Sequence, residues 1–291
     1  MLQALAQLIR LPNVFTAPAD VIAGAALAGL TLSSSSTNIE ILLTCLASAC
    51  AYAAGMIMND LVDYQVDAHE RPERPLPSGR VSIPLASFLM LALFCLGAIL
   101  SSASWPFLTL VVMITSYNVV LKKTFIGPLA MGLCRGFNLI LGASVINDLH
   151  PWAWWGFWTM TTYITGVTLM ARDETVASQK SNIRMGIALV ITAIASVAAM
   201  YIKDYTQTER LHLIPLATIL LAWGINLVWG RLYPAYVTPL PALVQAAVKS
   251  SIMGLVVLEA FHTALALGYP GLLVLLLLLP ALYLGRFIYS T

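Results

Sequence analysis

Residues 39–67 read IEILLTCLASACAYAAGMIM followed by NDLVDYQVD. The first part, 39–58, is apolar or small-residue almost throughout and is close to the roughly 20 residues that carry an α-helix across bilayer hydrocarbon. The second part is densely acidic. If the helix continues past the apolar run, Asn59, Asp60, Asp63 and Asp67 fall within an arc of about 100° on one face, while Leu61, Val62 and Val66 lie on the other. Three carboxylates on one arc that faces a bundle repel one another and lose hydration. A bound divalent cation resolves that conflict, and oxygen-only ligands favour Mg²⁺, which keeps waters and takes further ligands from substrate phosphates.

The rest of the chain has the same apolar character. Of 291 residues, 59% are hydrophobic and 10% charged, too few charges to cover a soluble fold and too little polarity for disorder. A net charge of +2 gives no electrostatic footprint for nucleic acid. Further spans are expected near 14–32, 84–102, 105–121, 126–146, 152–171, 184–202, 212–232, 240–264 and 270–288, the last two being the weakest. The expected fold is therefore an all-α polytopic membrane protein with nine or ten transmembrane helices, read as one domain over 1–291. No secretory signal is read at the N-terminus, where residues 1–10 suit a short helix lying on the membrane surface. Cys45, Cys50, Cys95 and Cys134 are expected to be packing residues, because each lies in an apolar run and none forms a CxxC pair.

The positive residues give an orientation. Arg10, Arg71, Arg74, Arg80, Lys122, Lys123, Arg172, Lys180, Arg184, Arg231 and Arg286 fall on one side of these spans, against Lys203 and Arg210 on the other. The rich side is expected to be cytoplasmic, which puts the two long polar connections, 59–83 and 172–183, there as well. Trp152, Trp154, Trp155 and Trp158 suit an aromatic belt at the opposite interface.

The acidic segment runs into His69-Glu70-Arg71-Pro72-Glu73-Arg74-Pro75-Leu76-Pro77-Ser78-Gly79-Arg80. Its prolines and glycine stop the helix and stiffen the loop. Arg71 and Arg74 are expected to contact phosphate, and Arg80 to anchor the next span. Arg135, inside a span, is either a functional cation or the structural partner of Asp20 or an acidic-motif residue, with function favoured.

The acidic NDxxDxxxD element with its RPxRPLPSG tail closely resembles the UbiA-type intramembrane prenyltransferase superfamily. That resemblance covers most of the chain to about residue 232. It implies a ring of about nine helices around a cavity, a prenyl diphosphate donor held through Mg²⁺, a small-molecule acceptor, and a place in the cell inner (plasma) membrane among its lipids. Carried over residue by residue, it implies catalytic roles for Asp60, Asp63, Asp67 and Asp173, with Asn59, Asp63, Asp67 and Asp173 as metal ligands. Asn13, Asn59, Arg71, Arg74, Tyr117, Lys122, Arg135, Asn138, Arg172 and Lys180 would face substrate. The family's second acidic motif has two aspartates four apart, whereas this chain has Asp173 followed by Ala177, with Glu174 nearby. One strong metal site is therefore expected, with Arg172 and Lys180 sharing the diphosphate charge. The phrases LPNVFTAPADV, GPLAMGLCRGFN and VQAAVKSSIMGLVVLEAFHTA resemble the EboC-like bacterial branch.

Three other classes compete with this reading. A transporter would show inverted repeats or broken helices with midplane charges, whereas the acids here cluster at one interface. A phosphatidyltransferase of the CDP-alcohol type lacks its DGxxAR signature. A non-catalytic lipid-binding homologue stands as the rival, because Ala177 is what decay of the second motif would look like. An aromatic acceptor is the alternative to a hydroxylated, polyol-like one.

Overall fold

The structure, a computed structural model, describes residues 1–31, 35–146, 150–172, 180–205, 214–238, 240–285 and 287–288. They form thirteen α-helices and two 3₁₀ segments. Short helices α1 (Leu2–Leu8) and α2 (Leu11–Val14) lead into α3 (Ala17–Leu27), α4 (Ser35–Val62), α5 (Tyr64–Glu70), α6 (Ile83–Leu100) and α7 (Trp105–Val119). A 3₁₀ turn (Leu121–Lys123) precedes α8 (Gly127–Ala143), α9 (Pro151–Ala171), α10 (Lys180–Tyr205), α11 (Ile214–Val237) and α12 (Pro241–Leu267). The chain then passes through a 3₁₀ segment (Tyr269–Leu277) into α13 (Leu278–Leu284).

Every span expected from sequence coincides with one of these elements, with two corrections. The span expected over 14–32 is α3, which stops at Leu27 because the chain turns at Gly29, whose φ of 97° only glycine adopts readily. The span expected over 270–288 is the 3₁₀ segment followed by the short α13. There Gly271 lies so close to α12 that a Cβ would collide with the Thr263 carbonyl, and the Thr263 hydroxyl donates to the Gly271 carbonyl at 2.8 Å. Among the described residues, four helices are both long and apolar enough to cross a membrane: Ser35–Val62, Ile83–Leu100, Ser181–Met200 and Pro241–Leu267. The molecule is a multi-pass membrane protein.

The expected ring is two rings sharing a wall. Helices α3, α4, α7 and α8 pack in one closed cycle, and α3, α8, α9, α10, α11 and α12 in another. The larger cycle is filled by side chains, among them Phe157, Met170 and Tyr163, whose hydroxyl donates to the Ser251 carbonyl at 2.8 Å. The smaller cycle keeps a cavity. The shared wall is a contact of backbone on backbone: a Cβ on Gly24 would strike the Leu139 carbonyl, and one on Gly142 the Val21 carbonyl. Such small-residue contacts supply the packing that hydrophobicity cannot supply between helices in lipid.

Gly24→Ala and Gly142→Ala are therefore expected to lose about 1–3 kcal/mol each, read as earlier thermal loss of the detergent-solubilised monodisperse peak. Gly230→Ala on α11, where a Cβ meets nothing within 4 Å, should leave that peak unchanged. Equal losses at all three would refute the close-contact account.

Candidate active site

Helix α4 does continue past its apolar run. Asp63 leaves the helical geometry (φ −88°, ψ 4°) between α4 and α5, yet its N–H still donates to the Asn59 carbonyl at 3.0 Å and its carbonyl accepts from Asp67 N–H at 2.8 Å. The acids therefore stay on one side, while Val62 and Val66 are exposed on the other.

The charge conflict is met by cationic side chains. Asp60, buried, lies 3.6 Å from Arg10 and 3.5 Å from Arg74. Asp67, also buried, receives Arg74 Nη1 at 2.6 Å. Asp63 pairs with Lys122 Nζ at 2.7 Å, and Lys122 also donates to Asn59 Oδ1 at 3.4 Å. Arg10 holds its place through a left-handed backbone (φ 51°, ψ 52°) at the junction of α1 and α2, a conformation that costs energy for a residue with a Cβ. Its pairing with Asp60 was missed in the sequence, where Arg10 stood among the positive residues that set the orientation.

The proline-rich loop explains which arginine does what. Leu76 and Val81 are buried against Leu8 and Ile57, fixing the loop on α1 and α4. That path carries Arg74 inward to the acids. Arg71, expected to share the phosphate with Arg74, makes no ion pair among the described residues. Arg80 donates to Gln7 Oε1 at 2.9 Å and to Ser78 at 3.0 Å, which fits its expected anchoring role.

Below this mouth lies the cavity, walled by Ala17, Ser48, Tyr52, Gly55, Met56, Leu110, Ile114, Tyr117, Asn118, Met131, Cys134, Arg135 and Asn138. Of the expected substrate residues, Tyr117, Arg135 and Asn138 line it, and Asn13 contacts the Tyr52 hydroxyl. Arg135 is engaged: its Nη2 meets Asp20 Oδ1 at 2.9 Å and Glu259 Oε1 at 3.7 Å. Asn138 Nδ2 donates to Asp20 Oδ2 at 2.7 Å and to the Ala17 carbonyl at 2.9 Å, while its Oδ1 accepts from Ser48 at 2.7 Å. The structural partner weighed for Arg135, Asp20, is thus in contact with it, and Glu259 was an unassigned in-span acid. Arg172 Nη2 donates to the Lys123 carbonyl at 3.3 Å, which ties the end of α9 to the Lys122 corner. The expectations at Asp173, Glu174 and Ala177 lie outside the described residues, as does the side chain of Lys180.

As a donor set for Mg²⁺, Asp60, Asp63, Asp67 and Asn59 offer hard oxygens on one side of the mouth; the buried Asp60 Oδ1 faces Arg10 and Arg74 at 3.6 and 3.5 Å but accepts no hydrogen bond from either. No three acids, histidines or cysteines among the described residues close on a common point. That arrangement fits an ion that takes few protein ligands and completes its shell with water and phosphate oxygens.

The deep network yields a stability test. Asp20 and Glu259 are both fully buried, so Arg135→Met strands them and should cost about 3–5 kcal/mol. Adding Asp20→Asn should recover most of the loss of heat-resistant folded protein. An Arg135→Met protein as stable as the parent would contradict the assignment.

The comparisons with known proteins agree with this architecture. Residues 21–253 match the UbiA prenyltransferase family. A digeranylgeranylglyceryl phosphate synthase from Ignicoccus hospitalis is 34% identical over 148 residues, 49% of this chain and 47% of that protein. The chain spans about half the length of such curated relatives, 47% and 52% for two of them. In fold, it resembles the apo structure of a UbiA homolog from Aeropyrum pernix K1, with a TM-score of 0.68 at 17% identity over 86% of this chain and 96% of that one. It also resembles a UbiA homolog from Archaeoglobus fulgidus bound to DMAPP and Mg²⁺, with a TM-score of 0.60 at 15% identity over 86% and 98%. The chain belongs to the UbiA prenyltransferase family.

Proposed function

We propose that this chain, acting as one unit over 1–291, catalyses Mg²⁺-dependent transfer of an isoprenyl group from a prenyl diphosphate to a small hydroxylated acceptor. The observation that carries the reading is the interleaving of Arg10, Arg74 and Lys122 with Asp60, Asp63 and Asp67 at the mouth of a largely apolar cavity. Such a mouth can hold a diphosphate and its counter-ion, while the chamber takes the hydrocarbon. Two observations on other proteins support it: the Archaeoglobus homolog is described with DMAPP and Mg²⁺, and the Ignicoccus relative is named for making digeranylgeranylglyceryl phosphate.

Asp63, Asp67 and Asn59, joined by Asp173 from the second loop, are assigned to hold Mg²⁺. Mg²⁺ held by these residues would supply charge neutralisation for the departing diphosphate. Arg10, Arg74 and Lys122 exchange their carboxylate partners for diphosphate oxygens, with Arg71, Arg172 and Lys180 completing the positive rim. Tyr52, Tyr117 and Met56 on the cavity wall exclude water from the allylic cation, and the ring faces stabilise its charge. The acceptor enters the same chamber. The three sequence phrases quoted above support a place in the EboC-like branch, although the named relatives are archaeal synthases. The positive-residue bias supports the inner (plasma) membrane with the acidic loops facing the cytoplasm.

Purified protein should release diphosphate from geranylgeranyl diphosphate with Mg²⁺, and Asp63→Asn should lower that rate more than about a hundredfold, the scale of losing several kcal/mol of transition-state charge stabilisation. Folded wild-type protein that binds the lipid but releases nothing would favour the non-catalytic reading. Lys122 provides a test of opposite signs. Because it occupies Asp63 and Asn59, Lys122→Met should bind divalent cations more tightly without prenyl diphosphate, yet bind prenyl diphosphate more weakly. Calorimetry showing both affinities falling together would count against the partner exchange.

A further inference from the structure

Asn118 stands in the cavity wall near the end of α7, with 3% of its surface exposed. Its Nδ2 donates to the Ile114 carbonyl at 2.9 Å and lies 3.5 Å from the Gly55 carbonyl. Those two oxygens fix the amide, since the flipped side chain would set oxygen against oxygen. Oδ1 is left with no hydrogen-bond partner among the described residues. A buried acceptor without a donor is costly, and one in a cavity wall is satisfied when a ligand brings the donor.

Its place in the fold says which part of a ligand that is. Asn118 stands four residues before Lys122, across the break between α7 and the 3₁₀ turn, and Lys122 holds Asp63 and Asn59; Gly55, which Asn118 touches, is one turn before Asn59 on the facing α4. Asn118, with its buried unpaired oxygen, thus lies where the charged mouth meets the apolar chamber. A chain whose diphosphate sits among Arg10, Arg74 and Lys122 has its first carbon at this level. The charge of the wall restricts the other reactant. Arg135 is the one charged residue lining the cavity among the described residues, and its charge is already set against Asp20 at 2.9 Å and Glu259 at 3.7 Å, only its Nε lacking a hydrogen-bond partner. An anionic head group finds no free cation there.

The geometry points to Asn118 as the residue that orients the acceptor, accepting a hydrogen bond from the hydroxyl of an uncharged alcohol. This rests on the prenyl-transfer reading above. The prenyl C–O bond breaks with its electron pair passing to the diphosphate. A lone pair on the alcohol oxygen forms the new C–O bond. The carbonyl dipole of Asn118 faces the positive charge that grows on that oxygen, and the proton then passes to a diphosphate oxygen. The products are an ether and hydrogen diphosphate.

The test uses the full chain in lipid nanodiscs with geranylgeranyl diphosphate and Mg²⁺. The acceptors are an alkylglycerol and the same alkylglycerol carrying a phosphate. Asn118→Leu removes the carbonyl at similar volume, and Asn118→Ser restores a small hydrogen-bonding group should the leucine protein fold poorly. Affinity for a non-reacting prenyl thiolodiphosphate reports the donor site separately. In Asn118→Leu the ratio of acceptor prenylation to donor hydrolysis should fall at least about tenfold, the scale of one lost hydrogen bond. Donor affinity should change little, and Asn118→Ser should recover part of the ratio. The wild type should prefer the uncharged alkylglycerol. A ratio unchanged in both variants, a parallel loss of donor affinity, or preference for the phosphate ester would overturn the assignment. A wild type that neither binds the thiolodiphosphate nor releases diphosphate would instead remove the underlying function.

Discussion

Between helices in lipid there is little hydrophobic drive, so association depends on close backbone approach and on polar groups that satisfy one another. In this chain both occur on the α3–α8 wall. Gly24 and Gly142 let the two backbones touch, and a turn away Asp20 binds Arg135 and Asn138 of α8. Asn138 draws in α4 through Ser48, and Arg135 reaches α12 through Glu259. The wall belongs to both helical cycles, so its geometry sets the width of the cavity on one side and the packing of the filled core on the other. A guanidinium shared by two buried carboxylates is costly to desolvate, and here it also lines the chamber below the mouth.

The mouth follows a different rule from the wall. Asp60 and Asp67 are buried and share Arg74, whereas Asp63 and Lys122 are both partly accessible. A pair of that second kind can exchange partners at small cost, which is what a site needs if it is to accept a multiply charged diphosphate. The chamber beneath offers that charge no such exchange. Under the proposed function, the reacting carbon lies where the charged mouth meets the largely apolar chamber.

Much of the mouth was legible in the sequence because it is local. The 3.6-residue period placed the acids on one face, and the helix does carry them there with only a break at Asp63. The prolines marked a stiff loop. What was not legible depends on contacts between distant segments. The choice of Arg74 over Arg71 follows from the burial of Leu76 and Val81 against α1 and α4, which no spacing encodes. The pairing of Arg10 with Asp60 needs a left-handed residue at a helix junction. Arg135 was visible as a charge in a span and Asp20 was weighed as its partner, but Glu259, from the far end of the chain, was not. Asn118 was not among the residues expected to face substrate, because an unpaired amide oxygen shows only once its NH₂ partners are placed. Hydropathy likewise reported apolar segments without showing that α3 is short or that Tyr269–Leu277 is 3₁₀.

The central claim is that the acidic mouth and the prenyl diphosphate hold a divalent cation together. Electron paramagnetic resonance of Mn²⁺ added to the purified full chain with a non-reacting prenyl thiolodiphosphate tests it directly. The account predicts a bound Mn²⁺ signal with phosphorus hyperfine coupling when the diphosphate is present, lost in Asp63→Asn. Tight Mn²⁺ binding without any phosphorus coupling, or coupling that survives Asp63→Asn unchanged, would contradict it.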